Sequence, residues 1–343
     1  MRLQSVTRVI FHMWKTTAWL TSVSLLACSG PLERVTETES TGQPRPLVAQ
    51  GTLGAGFRFS TYGPDFDPGP EYWAGVGEQM AARFPKSVPE AIWIVGRLHE
   101  RGTWLSFPGE SDERLIRFSE EDGNAEALEL FDRRGFRVWL QVEPGHAPVE
   151  KLIHLMLDRY GHHPSVIGVG IDVEWYRSTE VPEGRAITDA EARAWLAAAR
   201  SHNPDYRLFL KHWEIGKMPP SARDGILFVD DSQAIPSFDE MIEEFAAWGR
   251  AFAPAPVAFQ YGYRSDRRWW RHLDDPPADI GRRILDAAPN TEGLFWVDFT
   301  VLEVFPPRLS SRGHHAASRS RRVHASGRQR QAQRERLIQP ATG

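Results

Sequence analysis

The stretch Val166–Tyr176 reads V-I-G-V-G-I-D-V-E-W-Y and organises the rest of the chain. Side chains alternate between the two faces of a strand. One face is therefore predicted to carry Gly168, Gly170, Asp172, Glu174 and Tyr176. The other face is predicted to be apolar and to pack against helices, with Ile167, Val169, Ile171, Val173 and Trp175. Because burying unpaired charge is costly, two carboxylates at the end of a buried strand predict a functional site, with structural ion pairing as the alternative.

Around this strand, short apolar runs alternate with helical segments. Eight runs are predicted as strands, at 57–62, 91–98, 137–143, 166–175, 206–213, 226–230, 257–261 and 294–300. Strands that alternate with helices form parallel βαβ units, and eight units predict a single α/β domain folded as a (β/α)8, or TIM, barrel. An open doubly wound sheet is the alternative, but no Gly-rich phosphate-binding turn follows any strand. The runs 91–98 and 103–107 predict a hairpin insertion after strand 2.

The beginning of the chain differs from the rest. Arg2, Arg8 and Lys15 precede an apolar run, 16–27, that is too short to cross a membrane, and Cys28 is the only cysteine. Residues 1–27 resemble a bacterial lipoprotein signal. The resemblance implies cleavage before Cys28, lipidation of that cysteine and a membrane-anchored protein of the cell envelope that faces the periplasm or the exterior. An ordinary secretory signal is the alternative.

Composition then divides the remaining residues. Residues 28–54, rich in Thr, Pro, Gly and Gln, are predicted to form a flexible tether, and residues 55–307 to form the barrel. Residues 308–343 contain nine Arg and no Lys, which predicts a disordered basic tail or an out-of-frame sequence. Residues 1–27 carry a net charge of +3 and residues 308–343 of +8, so the part between them carries −15 of the chain's total of −4, which argues against a nucleic-acid partner. A monomer is expected.

Polar residues follow the predicted strands at the end where (β/α)8 barrels carry their sites. Carboxylates beside aromatic rings suit a carbohydrate polymer, because acids bind hydroxyls and protonate a glycosidic oxygen while rings stack on sugars. The residues assigned to the site are Tyr62, Glu143, Asp172, Glu174, Lys211, Trp213, Asp230, Gln260, Trp296 and Asp298.

Each catalytic candidate has a predicted role. Glu174 is the general acid and base, and Asp172 positions the substrate or stabilises the developing cation. Glu143, on the neighbouring strand, is the second carboxylate of a two-acid mechanism. Lys211 keeps one acid ionised, with a simple salt bridge inside the barrel as the alternative.

The remaining candidates are assigned to substrate binding. Trp213 and Trp296 are predicted to stack on sugar rings, with a place in the core as the alternative for each. Gln260 and Asp298 are predicted to bind hydroxyl groups, and Tyr62 belongs to the same set. Asp230 and Asp231 cannot both face inward, and Asp230 is preferred.

No cofactor is expected. Asp172, Glu174, Asp230 and Asp298 could instead hold a divalent cation with oxygen ligands, but the predicted site is metal-free. No Gly-flanked Ser elbow and no nucleophilic Cys is present for acyl transfer.

The strand Val166–Tyr176 resembles the signature strand of the family 18 glycoside hydrolases, the chitinases and endo-N-acetylglucosaminidases. Their pattern is D-x-x-D-x-D-x-E on the fourth strand of a (β/α)8 barrel. Asp172 and Glu174 match its last D-x-E, whereas Ile167 and Gly170 take the places of the two earlier Asp residues. The resemblance implies that Glu174 is the general acid and that Asp172 orients a nucleophilic N-acetyl group of the substrate.

A second register of the same motif places Tyr176 at the position of the catalytic Glu and implies an inactive protein. The last strand, Gly293-Leu294-Phe295-Trp296, is similar to the closing strand of family 18, and the D-x-E strand also resembles the family 25 lysozymes, which cleave peptidoglycan. The sequence therefore favours a glycoside hydrolase acting on an extracytoplasmic polysaccharide. The alternatives are a non-catalytic, surface-tethered glycan-binding lipoprotein and a structural lipoprotein without a ligand.

Overall fold

A computed structural model of the protein describes residues 51–307. The predicted signal, most of the predicted tether, Cys28 and the basic tail lie outside the described residues.

Ten strands are present in the described region, and eight of them close into a barrel. In chain order the strands are β1 (Gly54–Phe59), β2 (Val88–His99), β3 (Gly102–Leu105), β4 (Ile116–Phe118), β5 (Arg137–Val142), β6 (Val166–Asp172), β7 (Arg207–Lys211), β8 (Ile226–Asp230), β9 (Val257–Tyr261) and β10 (Thr291–Val297). The sheet runs β1-β10-β9-β8-β7-β6-β5-β2, and β1 also pairs with β2. All eight of these pairings are parallel, which confirms the predicted barrel.

Helices connect the barrel strands and cover them. They are α1 (Pro70–Ala81), α2 (Ala125–Arg134), α3 (Val149–Tyr160), α4 (Asp189–Arg200), α5 (Phe238–Phe252), α6 (Arg267–Trp270), α7 (Pro276–Ala287) and α8 (Val301–Val304). Thr188 and Glu191 form a capping box at the start of α4, where each side chain accepts a hydrogen bond from the backbone N–H of the other residue. Within residues 51–307, no helix is both long and apolar enough to span a membrane.

The core has two layers, because barrel side chains point alternately inward and outward. The outer layer between strands and helices is the larger, and it includes Val169 and Ile171 of β6. The inner layer fills the barrel with Ile92, Trp139, Phe209, Leu227, Val229, Ala258 and Phe295. This inner layer fills the barrel beneath the carboxyl ends of the strands.

The strand β6 follows the predicted alternation in its middle and departs from it at both ends. A register shift against β5 occurs at Ile167, which packs with the inner layer rather than the outer one. The strand ends at Asp172, and residues 173–175 form a 3₁₀ turn. This turn carries Tyr176 out of the predicted inner face, so its hydroxyl donates a 2.7 Å hydrogen bond to Glu191 of α4. The register that puts Tyr176 in a catalytic position is therefore wrong.

The predicted hairpin insertion follows the second barrel strand. β2 continues beyond the barrel, pairs antiparallel with β3 through a turn at Glu100 and Arg101, and β3 then pairs with β4. A register shift between β2 and β5 lies at Ile94 and Gly96. The insertion thus extends β2 over the carboxyl end of the barrel.

Candidate functional site

A cavity of about 220 Å³ opens at the carboxyl ends of the barrel strands. It is lined from five directions by β1, the β2 extension, β5 with β6, β7 with β8, and the loops after β9 and β10. The lining residues are Arg58, Tyr62, Ile94, Arg97, Leu98, His99, Glu100, Gln141, Glu143, Asp172, Glu174, Trp175, Lys211, Asp231, Gln233, Tyr263 and Phe299.

Lys211, the last residue of β7, lies at the centre of the charged groups. Its Nζ is 2.5 Å from Asp231 Oδ2, 3.1 Å from Asp172 Oδ2 and 3.7 Å from Glu174 Oε2. Burial acts to lower the pKa of Lys211, but the attraction of Asp172, Asp231 and Glu174 is larger in total and raises it. The lysine therefore stays protonated and holds negative charge around it.

Asp172 is buried beside Gln141 of β5. The Gln141 amide donates to Asp172 Oδ2 at 3.0 Å. Burial raises the pKa of Asp172 well above its ordinary value, and Glu174 and Glu143 raise it further, whereas Lys211 acts to lower it. Within the described region, neither the Gln141 amide oxygen, Oε1, nor the second carboxylate oxygen of Asp172, Oδ1, has a hydrogen-bond partner. The floor of the cavity therefore presents acceptors that a donor-rich ligand would satisfy.

Glu143 follows β5 and is held by two neighbouring elements. Its Oε2 accepts a 2.5 Å hydrogen bond from the Tyr62 hydroxyl and a 2.7 Å bond from the backbone N–H of Leu98. Burial raises the pKa of Glu143, although these two hydrogen bonds act in the opposite direction. The insertion thus positions one of the candidate catalytic carboxylates through its backbone.

A second buried ion pair supports the opposite wall. Arg58 Nη1 lies 2.9 Å from Asp298 Oδ1, and Asp298 Oδ2 accepts bonds from the backbone and hydroxyl of Ser60 at 2.6 and 2.7 Å. The guanidinium also lies over the Phe299 ring, 4.5 Å from its centroid. Burial raises the pKa of Asp298 to about 6, while Arg58 opposes the shift. Asp298 therefore acts behind the cavity wall, on Arg58.

Five of the predicted site residues line the cavity together. They are Tyr62, Glu143, Asp172, Glu174 and Lys211. They come from strand ends that are distant in sequence but adjacent in the barrel. Their catalytic and binding roles remain predictions.

The other five predicted residues do not line it. Trp296 faces outward, where its ring packs against Tyr261 and Trp270, because its position on β10 belongs to the outer face. Trp213 is half-buried, and its ring is tilted against that of His212 with the two centroids 4.2 Å apart. Gln260 accepts a 3.3 Å bond from the Tyr263 hydroxyl. Asp298 lies behind Arg58.

The choice of Asp230 over Asp231 also needs correction. Asp230 ends β8 and accepts a 2.8 Å bond from the backbone N–H of Ser232, whereas the next residue, Asp231, reaches Lys211. Val229 packs in the inner layer of the barrel, so alternation along β8 turns Asp230 to the outer side and Asp231 to the inner one.

Several lining residues were not predicted. Gln141 precedes Glu143 by two positions, and Arg58 precedes Tyr62 by four, so extending the alternation backwards would have found both. Trp175 could not be found in this way, because the 3₁₀ turn after Asp172 reverses its predicted face. The insertion residues 97–100 carried no signal for the site in the sequence.

The oxygen-ligand alternative for a metal ion does not fit the geometry. Within residues 51–307, no group of three or more His, Cys, Asp or Glu side chains is arranged to hold a metal ion. The Nζ of Lys211 already lies between Asp172 and Asp231, and Asp230 points elsewhere.

No protein-family model and no curated protein matches the sequence. Among solved structures, the chain is similar to a Bacteroides thetaiotaomicron protein assigned as an alpha-L-fucosidase, with 12% identity and a TM-score of 0.47 over 80% of this chain and 94% of that one. It is also similar to a GH5_18 protein from Streptomyces cattleya in complex with GlcNAc, with 16% identity and a TM-score of 0.43 over 84% and 82%. A U32 peptidase has 12% identity and a TM-score of 0.29 over 70% and 98%. These similarities concern the fold alone.

Proposed function

We propose that the chain is a glycoside hydrolase that acts on a glycan at the carboxyl end of its barrel. One observation carries the proposal: Glu143, Asp172 and Glu174 converge in a single cavity with aromatic walls that include Tyr62 and Trp175. Glycoside hydrolysis needs an acid that protonates the leaving oxygen, a second carboxylate, and surfaces on which a sugar ring can stack.

Glu174 is assigned as the general acid. Of the three carboxylates around Lys211 it lies farthest from the ammonium, at 3.7 Å, so the lysine favours its ionised form least. Protonated Glu174 would give its proton to the glycosidic oxygen as the C–O bond breaks. Its carboxylate would then take a proton from the water that completes hydrolysis.

Glu143 is assigned as the second carboxylate. The hydrogen bonds from Tyr62 and Leu98 fix its Oε2, so the group is oriented before a substrate arrives. It would act as nucleophile in a retaining reaction or as base toward water in an inverting one. Asp172, held by Gln141 and Lys211, would stabilise positive charge that develops on the sugar ring.

A family 18 or family 25 mechanism is a more specific proposal than glycoside hydrolysis itself. The match to family 18 is Asp172 and Glu174, and a carboxylate at position 170 would not fit, because a Cβ on Gly170 would lie 2.0 Å from the ring of Phe209. Phe209 occupies the space that an additional acid would need. This difference favours a reaction that uses Glu143 over one that depends on the complete family 18 motif.

The test is a cleavage screen with the full chain. Peptidoglycan, chitin oligomers and plain hexose polysaccharides are incubated with the protein, and products are measured by mass spectrometry. We expect Glu174→Gln to lower turnover by about 10²–10⁴-fold, and Glu214→Gln, an exposed glutamate outside the cavity lining, to leave it unchanged. Turnover that persists in Glu174→Gln would contradict the assignment.

A non-catalytic glycan-binding protein is the second candidate. It is favoured by the replacement of the family 18 carboxylates with Ile167, Gly170 and the Phe209 ring. Calorimetric binding of a glycan that the wild-type protein never cleaves would establish this candidate, and any cleavage that depends on Glu174 would exclude it.

We also propose that the site faces a polysaccharide outside the cytoplasm, in a protein anchored through Cys28. The support is the sequence of residues 1–28 alone. Membrane fractionation tests it: Cys28→Ser should move the protein from the membrane to the soluble fraction, and an unchanged distribution would contradict the anchor.

A further inference from the structure

Three cationic side chains line the cavity, and they differ in their partners. Lys211 contacts three carboxylates, and Arg58 is paired with Asp298. For Arg97, no carboxylate oxygen of residues 51–307 lies within 4.0 Å, and its guanidinium makes one long contact, 3.5 Å, with the Thr61 hydroxyl. Arg97 is therefore the lining cation whose charge is not balanced by a close acid of the described region.

The strand geometry explains why Arg97 faces the cavity. Ile94 lines the cavity, and strict alternation would place Gly96 next to it on the same face. The register shift between Ile94 and Gly96 reverses this order. A Cβ on Gly96 would meet Val142 and Leu105, which belong to the outer layer of the core, so Arg97 becomes the inward residue.

Arg97 and the acidic floor lie at different depths. Arg97 is half-buried on the β2 extension beside exposed His99 and Glu100, whereas Lys211 and Asp172 are buried. A ligand that fills the cavity would meet acceptors at the floor, including Gln141 Oε1 and Asp172 Oδ1, and a guanidinium near the mouth. This arrangement suits a sugar whose hydroxyls donate inward and whose anionic substituent stays near the mouth.

We propose that Arg97 determines specificity by binding an anionic substituent of the glycan, either a carboxylate or a sulfate ester. The inference rests on the proposed glycan function and names the substrate class of the same site. A guanidinium binds both groups through paired, charge-assisted hydrogen bonds. Glu100 repels such a group at the mouth, so the attraction of Arg97 has to exceed that repulsion.

The test compares matched oligosaccharides with the full chain. Each neutral oligosaccharide of the screen is paired with versions that carry a C6 carboxylate or a C6 sulfate, and Kd values are measured by calorimetry on the Glu174→Gln protein. We expect at least one anionic version to bind about tenfold more tightly than its neutral parent, the usual scale of one charge-assisted contact. The carboxylate and sulfate arms show which anion the site takes.

Substitutions then test whether Arg97 causes the preference for the anionic oligosaccharide. Arg97→Gln should reduce the tenfold preference to less than about twofold, and Arg97→Lys should keep part of it. Arg117→Gln removes the same charge from an exposed position of the insertion outside the cavity lining and should keep all of it. Equal binding of neutral and anionic versions, or a preference that survives Arg97→Gln, would overturn the inference.

The two proposals fail in different ways. Binding or cleavage of neutral oligosaccharides without any anion preference would overturn the role of Arg97 and leave the glycan function standing. If neither series binds or is cleaved, both the glycan function and the role of Arg97 are overturned.

Discussion

At the scale of single residues, the buried ammonium of Lys211 organises the site. Three carboxylates surround it, and a fourth, Glu143, lies in the same cavity. So many acids in one buried space raise the pKa of Asp172 and of Glu143, chiefly because burial disfavours their ionised forms. Protonated Lys211 opposes this shift for both groups and so favours the ionised forms that their assigned roles need.

Replacing Lys211 tests this arrangement. Lys211→Met should lower the free energy of unfolding by about 3–5 kcal/mol, because it leaves buried acids without their cation. The double variant Lys211→Met/Asp231→Asn should recover part of the loss. Urea denaturation measures both, and Lys151→Met, which removes a surface ion pair at 3.8 Å, should change stability by less than about 1 kcal/mol. A Lys211→Met protein as stable as wild type would contradict the role.

His212 gives a second prediction, on pH. Its Nδ1 accepts from the backbone of Glu214 and its Nε2 donates to the Glu183 carbonyl, both at 2.8 Å. Burial lowers the pKa of His212 to about 4 from 6.5. His212 therefore takes up a proton more readily in the unfolded chain than in the folded protein. The stability that neutral His212 contributes to the folded protein is complete above pH 6.5, and it is lost as the pH falls toward 4, by up to about 3 kcal/mol.

Urea unfolding between pH 4.5 and 7.5 measures the effect. The decline in stability on acidification should be smaller in His212→Gln than in wild type, and His162→Gln, at an exposed position, should keep the wild-type decline. The prediction is wrong if His212→Gln and wild type lose the same free energy of unfolding over this range.

At the scale of elements, the inner face of β6 depends on glycine. The rings of Trp139 and Phe209 occupy the space beside Gly168 and Gly170. Large side chains of the neighbouring strands therefore fill the barrel at these two positions, where β6 has no side chain. The 3₁₀ turn after Asp172 then brings Glu174 to the cavity and turns Tyr176 toward α4. The element thus delivers its acids through a change of backbone conformation as well as through alternation.

A pair of glycine substitutions tests this packing. A Cβ at Gly170 would lie 2.0 Å from the Phe209 ring, so Gly170→Ala should lower the free energy of unfolding by about 1–3 kcal/mol. Gly75 in α1 has no atom within 4 Å of its Cβ position, and Gly75→Ala should raise stability by up to about 1 kcal/mol. Chemical denaturation compares the two, and equal effects would contradict the argument.

At the scale of the whole molecule, closure of the barrel brings the site together. β1 pairs with both β2 and β10, so Arg58 near the start of the described region and Phe299 near its end line the same cavity. The insertion adds a further wall, which carries Arg97 and the backbone N–H that holds Glu143. Closure of the sheet thus brings residues from the whole described region together around one cavity.

Hydrogen exchange followed by mass spectrometry tests the closure. Because β1 is hydrogen-bonded on both sides, peptides over β1 and β10 should exchange as slowly as those over β6. Peptides over 61–69, the loop after β1, are the internal control and should exchange quickly. Fast exchange confined to β1 and β10 would mean that the barrel opens between these strands.

Alternation predicted Asp172, because β6 is regular from Gly168 to its end. It also selected Glu143 and Glu174, which lie just beyond β5 and β6, and the 3₁₀ turn still brings Glu174 to the cavity. It failed where the backbone leaves the strand, because Tyr176 follows a 3₁₀ turn. For β8 the sequence did not show which face points inward, and the inward Val229 places Asp231 rather than Asp230 on the cavity side. Trp296 lies in the outer core beside Trp270 and Tyr261, because its neighbour Phe295 takes the inner face; an aromatic residue near a strand end is equally suited to either face.

The sequence by itself determined the barrel class, the order of strands and helices, and the strands that carry the central acids, since periodicity and composition are local properties of the chain. The tertiary structure alone decided which polar strand ends share the cavity, that Lys211 lies between Asp172 and Asp231, and that Arg97 faces the mouth. The physical reason is that register shifts, turns and barrel closure arise from pairing between distant segments, and these set the direction of each side chain.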